Sequence, residues 1–160
     1  MSAVDAAVES GAPHPLQPCD SALRMTVSKP NPPPRNVFVV DDDPFSRFLA
    51  IEVLEAAGFA GKGLEGGMQA IQACQDDPPA AVLMDVNMPQ MDGLRVARHL
   101  RALQRSGDLP EFPIMAFTSM TDAATIARCL DAGMIWGLVK PLDHRTIRRV
   151  LKGHVRKSAR

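Results

Sequence analysis

The run VFVVDDDPF, residues 37–45, sets an apolar tetrapeptide directly against three consecutive carboxylates, Asp41, Asp42 and Asp43. Carboxylates held within a few ångströms of one another resist ionising together, so such a run costs free energy unless a cation balances it. Three other short apolar runs also end on polar groups. AVLM (81–84) runs into Asp85, IMAF (114–117) into Thr118 and Ser119, and IWGLV (135–139) into Lys140. A hard divalent cation such as Mg2+ takes oxygen ligands in octahedral array and keeps several waters, so one or two acids of the 41–43 run plus Asp85 suffice to hold it. A carboxylate whose charge is partly balanced can attack phosphorus and form an aspartyl phosphate. An ammonium and a hydroxyl beside it stabilise the charge spread over the transferring oxygens. The residue types together point to a site that holds a phosphoryl group.

These groups meet only if the runs that carry them are neighbouring parallel strands. From Asn36 onward, short apolar runs alternate with helical stretches, the pattern of a parallel sheet covered on both faces. Strands are predicted at 37–40, 59–64, 81–84, 114–117 and 135–139, and helices near 44–57, 67–75, 93–105, 121–131 and 143–155. The helical stretches carry apolar stripes: Val96, Leu100 and Leu103; Ile126 and Leu130; Ile147, Val150, Leu151 and Val155. Gly58 and Gly133 stand where helix C-termini fall, Thr121 and Asp143 read as N-caps, and Pro44 suits a first helical turn. The order is βα repeated five times. In open α/β sheets ligands bind beyond the carboxyl ends of the strands, which is where the acids, the hydroxyls and Lys140 fall.

A chain of 160 residues with 46% apolar side chains suits one domain plus a tail. Eighteen basic and eighteen acidic residues leave no net charge, so no whole-chain field points to nucleic acid or to an anionic membrane. Three widely spaced cysteines, Cys19, Cys74 and Cys129, have neither zinc-site spacing nor disulfide density, which suits a reducing compartment. With no apolar segment long enough to span a bilayer, the expectation is a cytoplasmic protein. Residues 1–35 hold seven of the fourteen prolines and few large apolar groups, so they are expected to form a disordered tail. The ordered domain is expected over 36–156, with a short basic tail at 157–160. From His144 to Arg160 the chain is rich in arginine and lysine, read either as a solvated helix face or as a contact for an acidic partner surface.

The motifs VVDDDP, VLMDVNMPQMDG, FTS and VKPL, in that order and at these separations, resemble the bacterial response-regulator receiver domain, over about residues 36–156. The resemblance implies a flavodoxin-like α/β fold, a doubly wound (βα)5 with a five-stranded parallel sheet in the order 2-1-3-4-5. It implies that Asp85 is the phosphoacceptor, served by a sensor histidine kinase or a histidine phosphotransfer protein. It assigns Mg2+ to Asp41, Asp42 and Asp85 with the backbone carbonyl of Asn87, with Asp42 the more direct ligand of the acidic pair. Thr118 becomes the switch hydroxyl and Lys140 the partner of a phosphoryl oxygen, with a cis peptide before Pro141. Such a protein is not a general enzyme, since it catalyses only its own phosphorylation and dephosphorylation. Its partners would be the phosphodonor and an unknown downstream protein, with no nucleic acid or membrane, as a monomer or a phosphorylation-dependent dimer. No recognisable output module follows residue 156, so a stand-alone domain signalling through protein contact is expected.

The sequence departs from the family pattern in three places. Gly137 stands three residues before the lysine, where an aromatic switch residue is usual, and strand alternation is expected to point the adjacent Trp136 to the opposite face. The segment GMIWG (133–137) reads either as a partner patch or as a local core adjustment. Met120 takes a position that in this family helps control water attack on the acyl phosphate, so the resemblance implies a long-lived phosphoryl group. Two other readings remain open: a receiver-like scaffold that is never phosphorylated, and a phosphohydrolase of the haloacid dehalogenase type with Asp41 as nucleophile.

Overall fold

The computed structural model describes residues 36–155. The tails expected at 1–35 and 157–160, and Arg156 at the domain boundary, lie outside the described residues. Five strands alternate with five helices: β1 (Asn36–Val40), α1 (Pro44–Ala56), β2 (Ala60–Leu64), α2 (Gly67–Asp76), β3 (Ala81–Met84), α3 (Gly93–Ser106), β4 (Ile114–Thr118), α4 (Ala123–Asp131), β5 (Ile135–Val139) and α5 (His144–Val155). All pairings are parallel and the sheet order is β2-β1-β3-β4-β5. The strand order expected from the resemblance is the one observed.

Why the inner strands read as unbroken apolar runs follows from their place. β1, β3 and β4 are flanked by strands and covered by helices on both faces, so both sets of alternating side chains are buried. Phe38, Val40, Val82, Met84, Ile114 and Ala116 point into one core shared with α2, α3 and α4. Val37, Val39, Leu83, Met115 and Phe117 point into the other, shared with α1 and α5. β1 lies between β2 and β3, so the chain direction of the crossovers reverses beside its carboxyl end.

Two helix details differ from expectation. The N-cap of α4 is Asp122, not Thr121: its carboxylate accepts hydrogen bonds from the Thr125 backbone N–H at 2.9 Å and the Thr125 hydroxyl at 2.6 Å. A carboxylate also complements the positive end of the helix dipole, which a hydroxyl does less well. Both bonds hold the Asp122 carboxyl below its ordinary pKa range, the side-chain bond first. Secondly, α4 buries Thr125 and Cys129, while Leu130 is 55% exposed and Ile126 only half-buried. The cap satisfies the Thr125 hydroxyl, so threonine can turn inward and the expected stripe rotates by one residue. Elsewhere the signals hold: Asp143 caps α5 through the backbone N–H groups of Arg145 and Thr146, and Gly58 and Gly133 follow the ends of α1 and α4.

β5 carries one residue more than its partner, because Met115 pairs with Ile135 while Phe117 pairs with Leu138. The extra residue falls at Trp136–Gly137, and Gly137 takes φ 144°, a backbone conformation open to glycine and strained for other residues. The bulge interrupts the alternation on which the orientation expected for Trp136 rested; its side chain lies outside the described residues. Met134 is buried in the core, which gives GMIWG a packing role at that position.

Gly93 opens α3 against the loop after β3, and a Cβ there would lie 2.0 Å from the Asp85 carbonyl oxygen. Backbone cannot yield as a flexible side chain does. We predict that Gly93→Ala lowers the unfolding free energy by about 1–3 kcal/mol in urea titrations. A variant as stable as the parent would show that this approach does not constrain the loop.

Candidate functional site

The site is built at the carboxyl ends of β1, β3, β4 and β5, where the strand ladders are extended by one residue. The Asp41 N–H donates to Leu64 O at 3.1 Å, the Asp85 N–H to Val40 O at 2.9 Å and the Lys140 N–H to Thr118 O at 3.1 Å. These bonds fix the backbone of three polar residues while their side chains converge.

Asp41 is fully buried, and its charge is met by three donors. Oδ1 accepts from the Asp43 N–H at 2.9 Å, and Oδ2 accepts from the Ser46 hydroxyl and from Lys140 Nζ, each at 2.6 Å. Arg47 adds a bond from its guanidinium to the Asp41 carbonyl oxygen at 2.6 Å. A buried carboxylate without such partners would lose several kcal/mol to desolvation, on the order estimated for an unpaired ion. Ser46 and Arg47 were not singled out from the sequence. The available signal was their place on the first turn of the helix that Pro44 starts, five and six residues after Asp41. Asp43, whose role the sequence left unsettled, is the N-cap of α1 and accepts from the Phe45 and Ser46 N–H groups at 3.2 Å each.

Asp85 is 6% exposed, with Oδ1 accepting from the Asn87 N–H at 3.3 Å and Oδ2 lying 3.5 Å from Lys140 Nζ. Burial pushes its carboxyl above the ordinary range; the Lys140 charge opposes that shift and the Asp41 charge adds to it. Lys140 therefore stands between two carboxylates, closer to Asp41, and its ammonium also lies 5.0 Å from the Phe117 ring centroid. The Lys140–Pro141 peptide is cis, as the resemblance implied.

Asp42 is exposed and lines a cleft of about 420 Å³ with Val86, Asn87, Met88, Pro89, Asp92 and Arg128. One carboxylate oxygen from each of Asp41, Asp42 and Asp85 lies within 4.8 Å of the others. Three hard oxygen donors, one of them open to water, fit a divalent cation of the Mg2+ type that retains part of its hydration. Bound there, such an ion would supply positive charge among the three carboxylates.

Thr118 closes β4 and is buried, its Oγ1 accepting from the Met120 N–H at 3.2 Å; Ser119 is exposed. Met120 is 43% exposed, and its sulfur accepts from the Asn87 amide at 2.6 Å. This contact joins the loops after β3 and β4 across the cleft.

The raised carboxyl of Asp85 has a thermodynamic consequence. The folded state binds its proton more tightly than the unfolded chain, so this contribution to stability is present at low pH and lost as pH rises from the ordinary carboxylate value through the raised one. Asp85→Asn is therefore predicted to be more stable than the parent at neutral pH without divalent cation, the difference shrinking toward about pH 4. Denaturant titrations at both pH values measure it. Equal stability at neutral pH would contradict the strain assigned to this carboxylate.

The family model described as the response regulator receiver domain matches residues 37–152. The sensor protein GacS of Pseudomonas syringae is 35% identical over 115 residues, covering 72% of this chain and 13% of GacS. The transcriptional activator ExaE of Pseudomonas putida is 34% identical over 130 residues, covering 74% of this chain and 56% of ExaE. The chain thus spans about an eighth of the sensor protein's length and just over half of the activator's. Among solved structures, the receiver domain of sensor histidine kinase PA1611 from Pseudomonas aeruginosa, with a magnesium ion coordinated in its active-site cleft, superposes with a TM-score of 0.67 at 26% identity, covering 76% of this chain and 97% of that one. Vibrio cholerae CheY4 gives a TM-score of 0.65 at 25% identity over 74% of this chain and 97% of its own. Among the described residues no helix is long and apolar enough to cross a membrane. The fold, the converging acids and these matches place the chain in the response regulator receiver domain family, the phosphoacceptor module of two-component signal transduction.

Proposed function

We infer that the protein accepts a phosphoryl group on Asp85 from a sensor histidine kinase or histidine phosphotransfer protein, in the cytoplasm, and signals by protein contact as a monomer or a phosphorylation-dependent dimer. The receiver is taken to span residues 36–156, between a proline-rich segment and a short basic one. The observation that carries the acceptor assignment is the contrast between two acids. Asp41 is sealed and holds three donors, whereas Asp85 holds one N–H at 3.3 Å and faces Lys140 at 3.5 Å. An oxygen with few partners is the better nucleophile. This also argues against a phosphohydrolase using Asp41.

In the transfer, an Asp85 oxygen forms a bond to phosphorus as the bond from phosphorus to the donor imidazole breaks, and the imidazole takes up a proton. Asp41, Asp42 and Asp85, with the Asn87 carbonyl, are the residues that would hold Mg2+. Lys140, whose ammonium lies 3.5 Å from Asp85 Oδ2, would pair with a phosphoryl oxygen. The Thr118 hydroxyl, whose oxygen now accepts from Met120, keeps its hydrogen free to donate to the phosphoryl group. Gly137 offers no side chain to follow that movement, so the threonine is not coupled to an aromatic ring at that position. The added charge of about one to two units favours the loop arrangement that donates to it.

Beside the site, Phe45, Phe48 and Leu49 of α1 are 66%, 56% and 42% exposed. Phe45 and Leu49 border a mostly apolar cleft of about 340 Å³ that also includes Phe117, Lys140, Pro141 and Leu142. Adjoining apolar groups left to water mark a contact surface. We assign it to the phosphodonor.

The decisive experiment treats the protein with a small acyl phosphate in Mg2+ and locates the adduct. Labelling of Asp85, absent in Asp85→Asn and after chelation, is expected; an adduct on Asp41, or none, would remove the proposal. Phe45→Ser should leave that labelling intact while slowing transfer from a phosphotransfer protein several-fold. Once phosphorylated, the protein should keep its group longer than Met120→Glu or Met120→Asn variants, because the thioether excludes water that a polar side chain would orient. Unchanged half-lives across the three would dismiss that role for Met120.

A further inference from the structure

Charge is unevenly distributed along a chain whose total is zero. Residues 36–143 hold fifteen acidic and eight basic side chains, whereas residues 144–160 hold seven basic and no acidic ones. In α5 the basic groups are Arg145, Arg148, Arg149 and Lys152, all exposed, and their spacing of three, one and three residues gathers them on one helix face. Among the described residues none of these four side chains has an ion-pair or hydrogen-bond partner. Arg47, Arg98, Arg128 and Lys140, by contrast, are each paired with an acid.

We propose that this face of α5 is a docking surface for the acidic face of a partner protein. The other side of the helix decides against a lipid surface: Ile147, Leu151 and Val155 are buried in the core shared with α1, so α5 has no apolar face to insert into a bilayer. The body decides against nucleic acid, because an extended polyanion reaching past the stripe meets a domain with seven surplus negative charges. Residues 144–160 also contain no Phe, Tyr or Trp on which a base would stack. A compact patch of carboxylates touches the stripe alone, and arginine, three of the four residues, pairs with carboxylates in two-point geometry. Such a surface mainly steers encounter and selects partners. It is independent of the acceptor chemistry, so its failure would leave the assignment of Asp85 untouched.

The test titrates the full chain against three labelled probes: a short helical peptide with glutamates along one face, a short DNA duplex, and phosphatidylglycerol vesicles. The peptide should bind most tightly, weakening as salt is raised. Replacing Arg145, Arg148, Arg149 and Lys152 together by Gln should cost roughly tenfold or more in peptide affinity. Replacing the three arginines by Lys should keep the salt dependence and lose part of the affinity, because the charge stays while the two-point pairing goes. Thermal unfolding followed by circular dichroism confirms that each variant is folded. Peptide binding that is undetectable, or equal in the parent and the Gln variant, would overturn the proposal, as would tighter binding of the duplex or the vesicles.

Discussion

The structure turns on one electrostatic constraint: a carboxylate with no access to solvent, Asp41, at the switch point of a parallel sheet. Its charge survives there because donors reach it from its own turn, from α1 and from β5. Each donor has to be delivered by a different element. β1 ends at the right depth, Pro44 and Asp43 start α1 so that Ser46 faces back, and β5 brings Lys140 from the far edge of the sheet. Remove the order β2-β1-β3-β4-β5 and the ammonium and the acid no longer meet.

Asp85 occupies the complementary position. It shares Lys140 with Asp41 but sits farther from it, keeps one backbone donor, and is buried enough for its carboxyl to be pushed upward. One acid is therefore surrounded by donors and its neighbour is left under-compensated. That inequality arises from placement alone, since the side chains are chemically identical.

The mouth of the site is held by weaker and more local contacts. Asn87 and Met120 touch across the cleft, the Thr118 hydroxyl accepts from the backbone of its own loop, and Arg128 reaches Asp92 at 3.7 Å. Bonds of this kind are worth little individually, about 1 kcal/mol or less when exposed. A rigid sheet edge below and soft loops above suit a module whose state changes when one group is added.

Much of this was legible in the residues. Apolar runs of four that end in Asp or Thr determine inner parallel strands with chemistry at one edge, because a strand covered on both faces carries polar groups only where its ladder ends and partners can reach them. Helix periodicity, Gly58, Gly133 and Asp143 likewise followed from local physics that needs no partner. Tertiary structure alone decided which acid is sealed among donors and which is left with few, since burial depends on the strand on either side. It also made Asp122 the cap of α4 and turned Leu130 outward, because a threonine can face the core only when its hydroxyl is satisfied. It recruited Ser46 and Arg47, whose bonds to Asp41 depend on the angle at which α1 leaves β1. It added the extra residue in β5, since register belongs to a pair of strands and is written in neither one.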